Sequence, residues 1–324
     1  MIASSNENKT IQIISSPLQG FTDYRFRNLV HEHFGGIDTY LAPYIRFQGD
    51  IKIKTSYKND LSPNLNKVVN LVPQIMTRNS DEFLFVADFV KQLGYKELNW
   101  NLGCPYPMVA KRGMGSGLIK ETDKIDSILN TVTSACKIDI SIKLRLGYES
   151  NQEILNLLPV LNNHKIKYLI IHPRIGKQLY KGDVDLELFQ QCMDICNLPI
   201  VYNGDIDSAE KFVSLKQQFP GINQWAIGRG IISNPFLAGM IKSDSFQMPD
   251  DWAEQFESFH EALFQLMNES LSGPGHLLIK MQSYWEYFCQ MFSDAHKTYK
   301  IITKAKSITA YKNGVSEILK RETV

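Results

Sequence analysis

Leu98-Asn99-Trp100-Asn101-Leu102-Gly103-Cys104-Pro105 reads as the end of a buried strand running into a turn. Leu98 to Asn101 is the strand, and Gly103 and Pro105 break it and redirect the chain. Cys104 is thereby held on a loop at a strand's C-terminal end. A thiol placed there can act as a nucleophile, an acid or a metal ligand, whereas in a packed core it is inert. Just downstream, Lys111-Arg112-Gly113-Met114-Gly115-Ser116-Gly117 is a basic, glycine-rich loop that runs into a helix.

Working outward, the same unit recurs along the chain. Upstream, Ile11–Ser15, Thr39–Ala42 and Val68–Gln74 read as strands, with helices over Phe21–Phe34 (cap Thr22 or Asp23, stop Gly35-Gly36) and Ser80–Leu93 (cap Asn79 or Ser80). Residues 45 to 66 are polar and read as irregular. Lys96–Asn101 is the fourth strand, followed by a helix over Thr122–Ala135. Further strands are expected at Ile140–Arg145, Tyr168–His172, Pro199–Asn203 and Gln224–Gly228. Helices follow them at Glu153–Leu161, Asp185–Cys196, Ser208–Phe219 and Asn234–Ile241.

Eight strands, each but the second followed by a helix, have the length and rhythm of an α/β protein built as a (β/α)8 TIM barrel. Runs such as Tyr168-Leu169-Ile170-Ile171 suit strands buried on both faces. An open doubly wound sheet uses fewer strands, and no Gly-x-Gly-x-x-Gly follows the first strand. The stretch Ser243–Asp251 is rich in turn residues, and after it no strand pattern appears. Trp252–Ser270, Leu277–Phe292, Lys297–Ala305 and Thr309–Arg321 read as helices. The expected division is a barrel over residues 1–245 and a small C-terminal helical domain over 246–324.

Composition narrows the class. With 324 residues, 44% hydrophobic and 21% charged, the chain suits one large domain plus a small one. The formal net charge of +1 does not announce a polyanion partner, so any nucleic-acid surface must come from charge distribution. From Ala295 onward there are seven Lys or Arg against two acids, which is either a solvated helix face or a patch facing a polyanion. The five cysteines are scattered; Cys192 and Cys196 share a helical face but lack a second ligand pair, so they read as core and no metal site is expected. An odd count without a framework points to a reducing compartment. Met1 to Thr10 has no apolar h-region and the apolar runs are short, so neither signal peptide nor membrane span is expected and the location is cytoplasmic.

In such a barrel the working residues sit at the strands' C-terminal ends. Each end here is furnished: Pro17-Leu18-Gln19-Gly20, Gln74, Asn101 with Cys104, Lys143 with Arg145, His172 with Arg174, Asn203-Gly204-Asp205, and Gly228-Arg229-Gly230. The last two follow strands seven and eight, where barrels often bind phosphate; glycine lets backbone N–H groups approach the oxygens and Arg229 supplies a charged fork. Lys143 points into the mouth. A lysine there serves either as a Schiff base or as a fixed cation facing developing negative charge. The second role suits a reduced flavin, which carries negative charge near N1 and O2.

Together, Pro17-Leu18-Gln19-Gly20-Phe21-Thr22-Asp23, Asn101-Leu102-Gly103-Cys104-Pro105, Lys143-Leu144-Arg145-Leu146-Gly147, Asn203-Gly204-Asp205-Ile206 and Gly228-Arg229-Gly230 resemble the tRNA-dihydrouridine synthases in order and spacing. The helical tail fits that family's C-terminal domain, and the chain is somewhat similar to its bacterial C-type subfamily. The resemblance implies FMN-dependent reduction of uridine in tRNA to 5,6-dihydrouridine, with NADPH as reductant. It implies that Pro17, Leu18, Gln19, Gln74, Lys143, His172, Asn203, Asp205, Gly228 and Arg229 surround FMN, that Asn101 lies beside the uracil, and that Cys104 is the proton donor. Chemistry agrees: hydride addition at uracil C6 leaves C5 to be protonated, and a positioned thiol can do this. The base must first be unstacked and turned into the mouth. Lys111, Arg112, Arg145, Arg174 and Lys177 are then candidates to hold nearby phosphates or bases, with tRNA as the partner and no obligate protein partner in view.

The sixth strand departs from the pattern, ending His172-Pro173-Arg174-Ile175 where the family more often has His-Gly-Arg-Thr. Three rivals share some of these features: a barrel reductase of free pyrimidines resembling dihydroorotate dehydrogenase, an aldolase or lyase using Lys143 as a Schiff base, and a non-catalytic RNA-binding module. The basic tail argues against the first, since a free base needs no such domain.

Overall fold

Nine short parallel strand segments lie in one sheet in the computed structural model, which describes residues 10–322. The reading of the first nine residues as lacking an apolar leader falls outside the described residues. The first half runs β1 (Gln12–Ser15), α1 (Tyr24–His33), β2 (Thr39–Leu41), α2 (Thr55–Asp60), β3 (Leu71–Val72), β4 (Gln74–Ile75), α3 (Ser80–Gln92), β5 (Glu97–Leu102), α4 (Pro107–Ala110) and α5 (Thr122–Ala135). It continues as β6 (Asp139–Gly147), α6 (Glu153–Leu161), β7 (Leu169–Ile175), α7 (Leu186–Ile195), β8 (Ile200–Asn203), α8 (Ala209–Gln218), β9 (Gln224–Ile227), α9 (Arg229–Ser233) and α10 (Leu237–Ser243). The segment order is β3-β2-β1-β9-β8-β7-β6-β5-β4, so β3 and β4 occupy the two ends.

Those two ends are one strand. Pro73 separates them and has no N–H to donate. On one side Val72 O accepts from Ala42 N at 3.0 Å, and on the other Pro73 O accepts from Asn99 N at 2.9 Å. The ring therefore closes as an eight-stranded barrel, and the expected fold stands. The strand expected over 68–74 proves shorter, offset toward its C-terminus and split at the proline.

Residues 45–66 are more ordered than their polarity implies. They hold α2, and buried Arg27 from α1 reaches across to them: its guanidinium donates to Asp60 O (2.7 Å) and Asn66 Oδ1 (2.9 Å) and pairs with the Asp60 carboxylate at 3.1 Å. The helix expected over 234–241 starts later, at Leu237, because Asn234 is extended before Pro235, and a short helix not expected from the sequence, Arg229–Ser233, precedes it. Helix starts are set by side-chain caps: Asp23 accepts from Arg25 N and Phe26 N, Asn79 from Glu82 N, and Asp185 from Leu188 N.

The chain ends in α11 (Trp252–Ser270), α12 (Pro274–Phe288), α13 (Ala295–Lys304) and α14 (Ile308–Glu322). These helices dock on α1 through a shared aromatic core. The Phe26 ring stacks on Tyr284 at 5.6 Å and meets Phe259 edge-on at 5.9 Å, and Tyr284 OH donates to Phe21 O at 2.7 Å. Within the helical part, Trp285 Nε1 donates to Tyr311 OH at 2.8 Å. The Tyr311 hydroxyl and His260 Nε2 share a further hydrogen bond at 2.6 Å. Burial pushes His260 down to about 4.

Two main apolar clusters form the core, beside a third of only Met76, Cys104 and Val109 at the thiol loop. The larger lies between sheet and helices. The smaller, Ile14, Leu41, Val72, Tyr168, Ile170, Val201 and Ala226, fills one side of the barrel interior. The other side is polar: Glu97, Asn99 and Asn101 of β5, with Gln74 and Ser141, are all buried. Among the described residues no helix is long and apolar enough to cross a membrane, and no cluster of three or more His, Cys, Asp or Glu is placed to hold a metal.

Candidate active site

At the C-terminal mouth of the barrel two cavities adjoin. The larger, about 570 Å³, is lined by Ser16, Asn203, Asp205, Gly228 and Arg229, and on its helical side by Glu286, Tyr287, Gln290 and Met291. The smaller, about 80 Å³, is lined by Gln19, Tyr44, Gln74, Asn101, Cys104 and Arg145. Pro17, Leu18, Lys143, His172 and Tyr180 line both. All the residues expected around a cofactor thus meet at one opening, with Cys104, Asn101 and Arg145 beside them.

The thiol loop is held from two sides. Asn101 Oδ1 accepts from Gly103 N (3.0 Å) and Cys104 N (2.9 Å), and Cys104 O accepts from Ser116 N (3.1 Å) and Ser116 Oγ (2.9 Å). Gly115 lies under this loop with φ +56°, where a Cβ would sit 2.7 Å from Cys104 O. Two glycines of the basic loop, Gly115 and Gly117, are therefore packing residues: a Cβ on Gly117 would meet Ala110 O at 2.1 Å. Tyr44 OH lies 3.7 Å from Cys104 Sγ, and burial, followed by the nearby Cys104, pushes its hydroxyl pKa up.

Lys143 is fully buried, donates to Asn203 Oδ1 at 2.6 Å, and is pushed down to about 7 by burial and then by Arg145. Arg145 is lowered to about 10 by burial and donates to Ile175 O at 2.9 Å. His172 is held neutral: burial first, then Arg145, Lys143, Arg174 and Arg229, push it well below its usual range. Its Nε2 lies 3.2 Å from Arg174 NH1, which can only donate, so Nδ1 carries the ring proton.

Arg174 sits behind the site and does not face a groove. It is buried, forks onto both carboxylate oxygens of Asp205 and donates to Gly182 O at 2.5 Å. Asp205, at φ +43°, also pairs with Arg229 at 3.1 Å. Lys111 and Arg112 line a separate groove of about 610 Å³ with Arg78 and Lys120. Lys177 is exposed and pairs with Glu149 of that groove at 3.1 Å.

Four contributors carried no sequence signal: Ser16, Tyr44, Tyr180 and the 286–291 segment reach the mouth only through folding. Tyr180 packs between two guanidinium groups, with Arg229 at 4.2 Å and Arg145 at 5.3 Å from its ring centre.

A family model described as dihydrouridine synthase matches residues 13–321, barrel and helical tail together. The chain belongs to the dihydrouridine synthase family. Among its relatives, the tRNA-dihydrouridine(16) synthase of Neisseria meningitidis serogroup B (strain ATCC BAA-335 / MC58) is 27% identical over 270 residues, covering 78% of this chain and 80% of that protein. The tRNA-dihydrouridine synthase B of Pasteurella multocida (strain Pm70) is 25% identical over 238 residues, covering 72% and 69%. Among solved structures, morphinone reductase superposes with a TM-score of 0.51 at 10% identity, over 74% of this chain and 87% of that one. That likeness speaks for the barrel fold alone.

Proposed function

We propose that this member of the dihydrouridine synthase family reduces uridine in tRNA to 5,6-dihydrouridine in the cytoplasm, with FMN bound at the barrel mouth, NADPH as reductant and Cys104 as proton donor. The observation that carries the reading is the placement of Cys104 and Lys143 on one small cavity that opens into a larger one of ligand size.

The mouth suits a flavin nucleotide. Ser16 Oγ is buried without a partner in the protein and lines the larger cavity. Gly228 leaves that wall open: a Cβ there would meet nothing closer than Ser16 Cβ at 3.6 Å. The amides of Gln74 and Asn203 with Lys143 give the mixed donors and acceptors that the pyrimidine edge of an isoalloxazine requires, and Arg229 suits the phosphate. Bound there, the flavin would supply the hydride that saturates uracil C6.

The protein's own part follows from the geometry. Asn101 and Ser116 hold the Cys104 loop, so the thiol meets C5 without further ordering. Cys104 gives its proton to C5 and regains one from solvent. The hydroxyl of Tyr44 keeps its own proton and can donate to the sulfur that remains. Lys143, with its pKa near 7 in the free protein, regains full charge when negative charge develops beside it. Lys111, Arg112, Arg78 and Lys120 line a groove for RNA phosphates. On α13, Lys297, Lys300 and Lys304 are exposed at helical spacing, and the 246–324 domain grips the folded RNA.

The test is direct. The purified protein should show a flavin spectrum and, with NADPH, should add two hydrogens to uridine in unmodified tRNA while leaving free uracil and orotate unchanged. Absence of both flavin and dihydrouridine would refute the assignment. One observation favours a second reading: a lysine with its pKa near 7 is also what a Schiff-base aldolase uses. A colourless protein whose Lys143 is trapped on a carbonyl substrate by borohydride would establish that instead.

A further inference from the structure

Five side chains form one continuous line of hydrogen bonds along the polar side of the barrel interior, ending beneath the thiol loop. At its lower end Glu97 accepts from Lys167 Nζ (2.7 Å), Tyr168 OH (2.5 Å) and Ser141 Oγ (2.6 Å). Ser141 Oγ in turn accepts from Asn99 Nδ2 (2.8 Å), and Asn99 Oδ1 accepts from Gln74 Nε2 (2.8 Å). Gln74 Oε1 accepts from Asn101 Nδ2 (2.7 Å), and Asn101 Oδ1 takes the N–H groups of Gly103 and Cys104.

The sense of this line is fixed at both ends. Backbone N–H groups can only donate, so the atom of Asn101 beneath them must be its oxygen. Glu97, ion-paired with Lys167, can only accept, so Ser141 must spend its proton downward. Every amide between them is then locked in one orientation. Such a chain polarises its members in the same direction, and a break at Ser141 leaves the buried Asn99 Nδ2 without an acceptor and the file above it loosened.

We propose that Glu97, Ser141 and Asn99, none of which lines the mouth, are positioning residues for Cys104: through Gln74 they anchor the Asn101 amide whose oxygen holds the thiol loop. This rests on the proposed role of Cys104 in the reaction. Interior layers of such barrels are usually filled by branched apolar residues, so a buried polar file needs a reason beyond packing. Simple burial of polar groups would be satisfied by any local pairing. A single file with one sense throughout, ending on the loop that carries the reactive sulfur, gives a definite output at that loop.

The test compares Ser141→Ala, which breaks the line, with Ser141→Thr, which keeps the hydroxyl. Three quantities are read: thermal melting, the rate of Cys104 alkylation by iodoacetamide followed on its tryptic peptide, and kcat and KM on tRNA. Ser141→Ala should stay folded, alkylate at least threefold faster because the loop is loosened, and lose about tenfold in kcat with KM within twofold. Ser141→Thr should return both values to within twofold of the parent. A folded Ser141→Ala protein with unchanged alkylation and kcat would overturn the proposal, as would a Thr variant as impaired as the Ala one. Hydrogen exchange of the unmodified protein gives an independent reading should Ser141→Ala fail to fold. The Gly103 and Cys104 amides should exchange as slowly as those of β5, and exchange as fast as that of the 111–114 loop would overturn the inference. A parent protein that makes no dihydrouridine would remove the role of the thiol, while the alkylation and exchange results would still decide whether the line orders the loop.

Discussion

Gly115→Ala is the most specific probe of the thiol loop. Two costs arise. The first is conformational: at φ +56° an L side chain loses about 1–2 kcal/mol. The second is steric, because the new Cβ would lie 2.7 Å from Cys104 O and 2.8 Å from Cys104 Cβ. Neither atom is the free end of a side chain. For the oxygen to reach an ordinary contact of 3.4 Å, the loop must retreat by about 0.7 Å. Misplacing a reacting group by about 1 Å costs roughly 100-fold in rate, so kcat on tRNA should fall about 10- to 100-fold. Gly35→Ala is the control. It has φ +62° and nothing within 4 Å of the added Cβ, so it bears the conformational cost without pressing on the loop. Both variants should melt lower by about 2–4 °C per kcal/mol lost, but Gly35→Ala should keep its kcat. If folded Gly115→Ala turned over within twofold of the parent, the geometry of the Cys104 loop would not govern the proton transfer.

Cys104→Ala should retain flavin and tRNA affinity and lose most turnover; normal turnover would remove the proton-donor role. Lys143→Met deletes a buried charge-assisted donor, worth about 1.5–3 kcal/mol, so the flavin Kd should rise about 10- to 100-fold in an equilibrium titration. Unchanged flavin affinity and reduction rate would contradict the role given to Lys143. Stability should fall as pH drops from about 6.5 towards 4, because the unfolded chain takes up a proton that folded His260, held at about 4, refuses. Through this group alone the loss approaches about 3 kcal/mol at the acid end, and buried His172, also lowered, acts in the same sense. Denaturant midpoints between pH 7 and 4.5 should shift less in His260→Gln than in the parent. An equal shift would mean that the Trp285–Tyr311–His260 contact does not carry the dependence.

What could be read in the sequence, and what could not, divides along a physical line. Strands buried on both faces announce themselves as apolar runs, and their polar C-terminal residues mark the mouth. Pro17, Gln74, Lys143, His172, Asn203 and Arg229 were therefore visible in one dimension, and they meet in three. Arg174 was visible as a charge, but its commitment to Asp205 is a contact between residues 31 apart in the chain. Ser16, Tyr44 and Tyr180 act through tertiary approach and leave no local pattern. The polar file is the instructive case. Glu97, Asn99 and Asn101 alternate with Leu98, Trp100 and Leu102, a period that ordinarily marks a strand with one face in water. Every one of these six residues is buried. Inside a closed barrel the second face has no solvent, so the same alternation means a polar axis, and such an axis is stable only when each member finds a partner. Here that condition is met by a chain of bonds that runs without a gap from Glu97 to the thiol loop, which is why a single lost hydroxyl at Ser141 should be felt at Cys104.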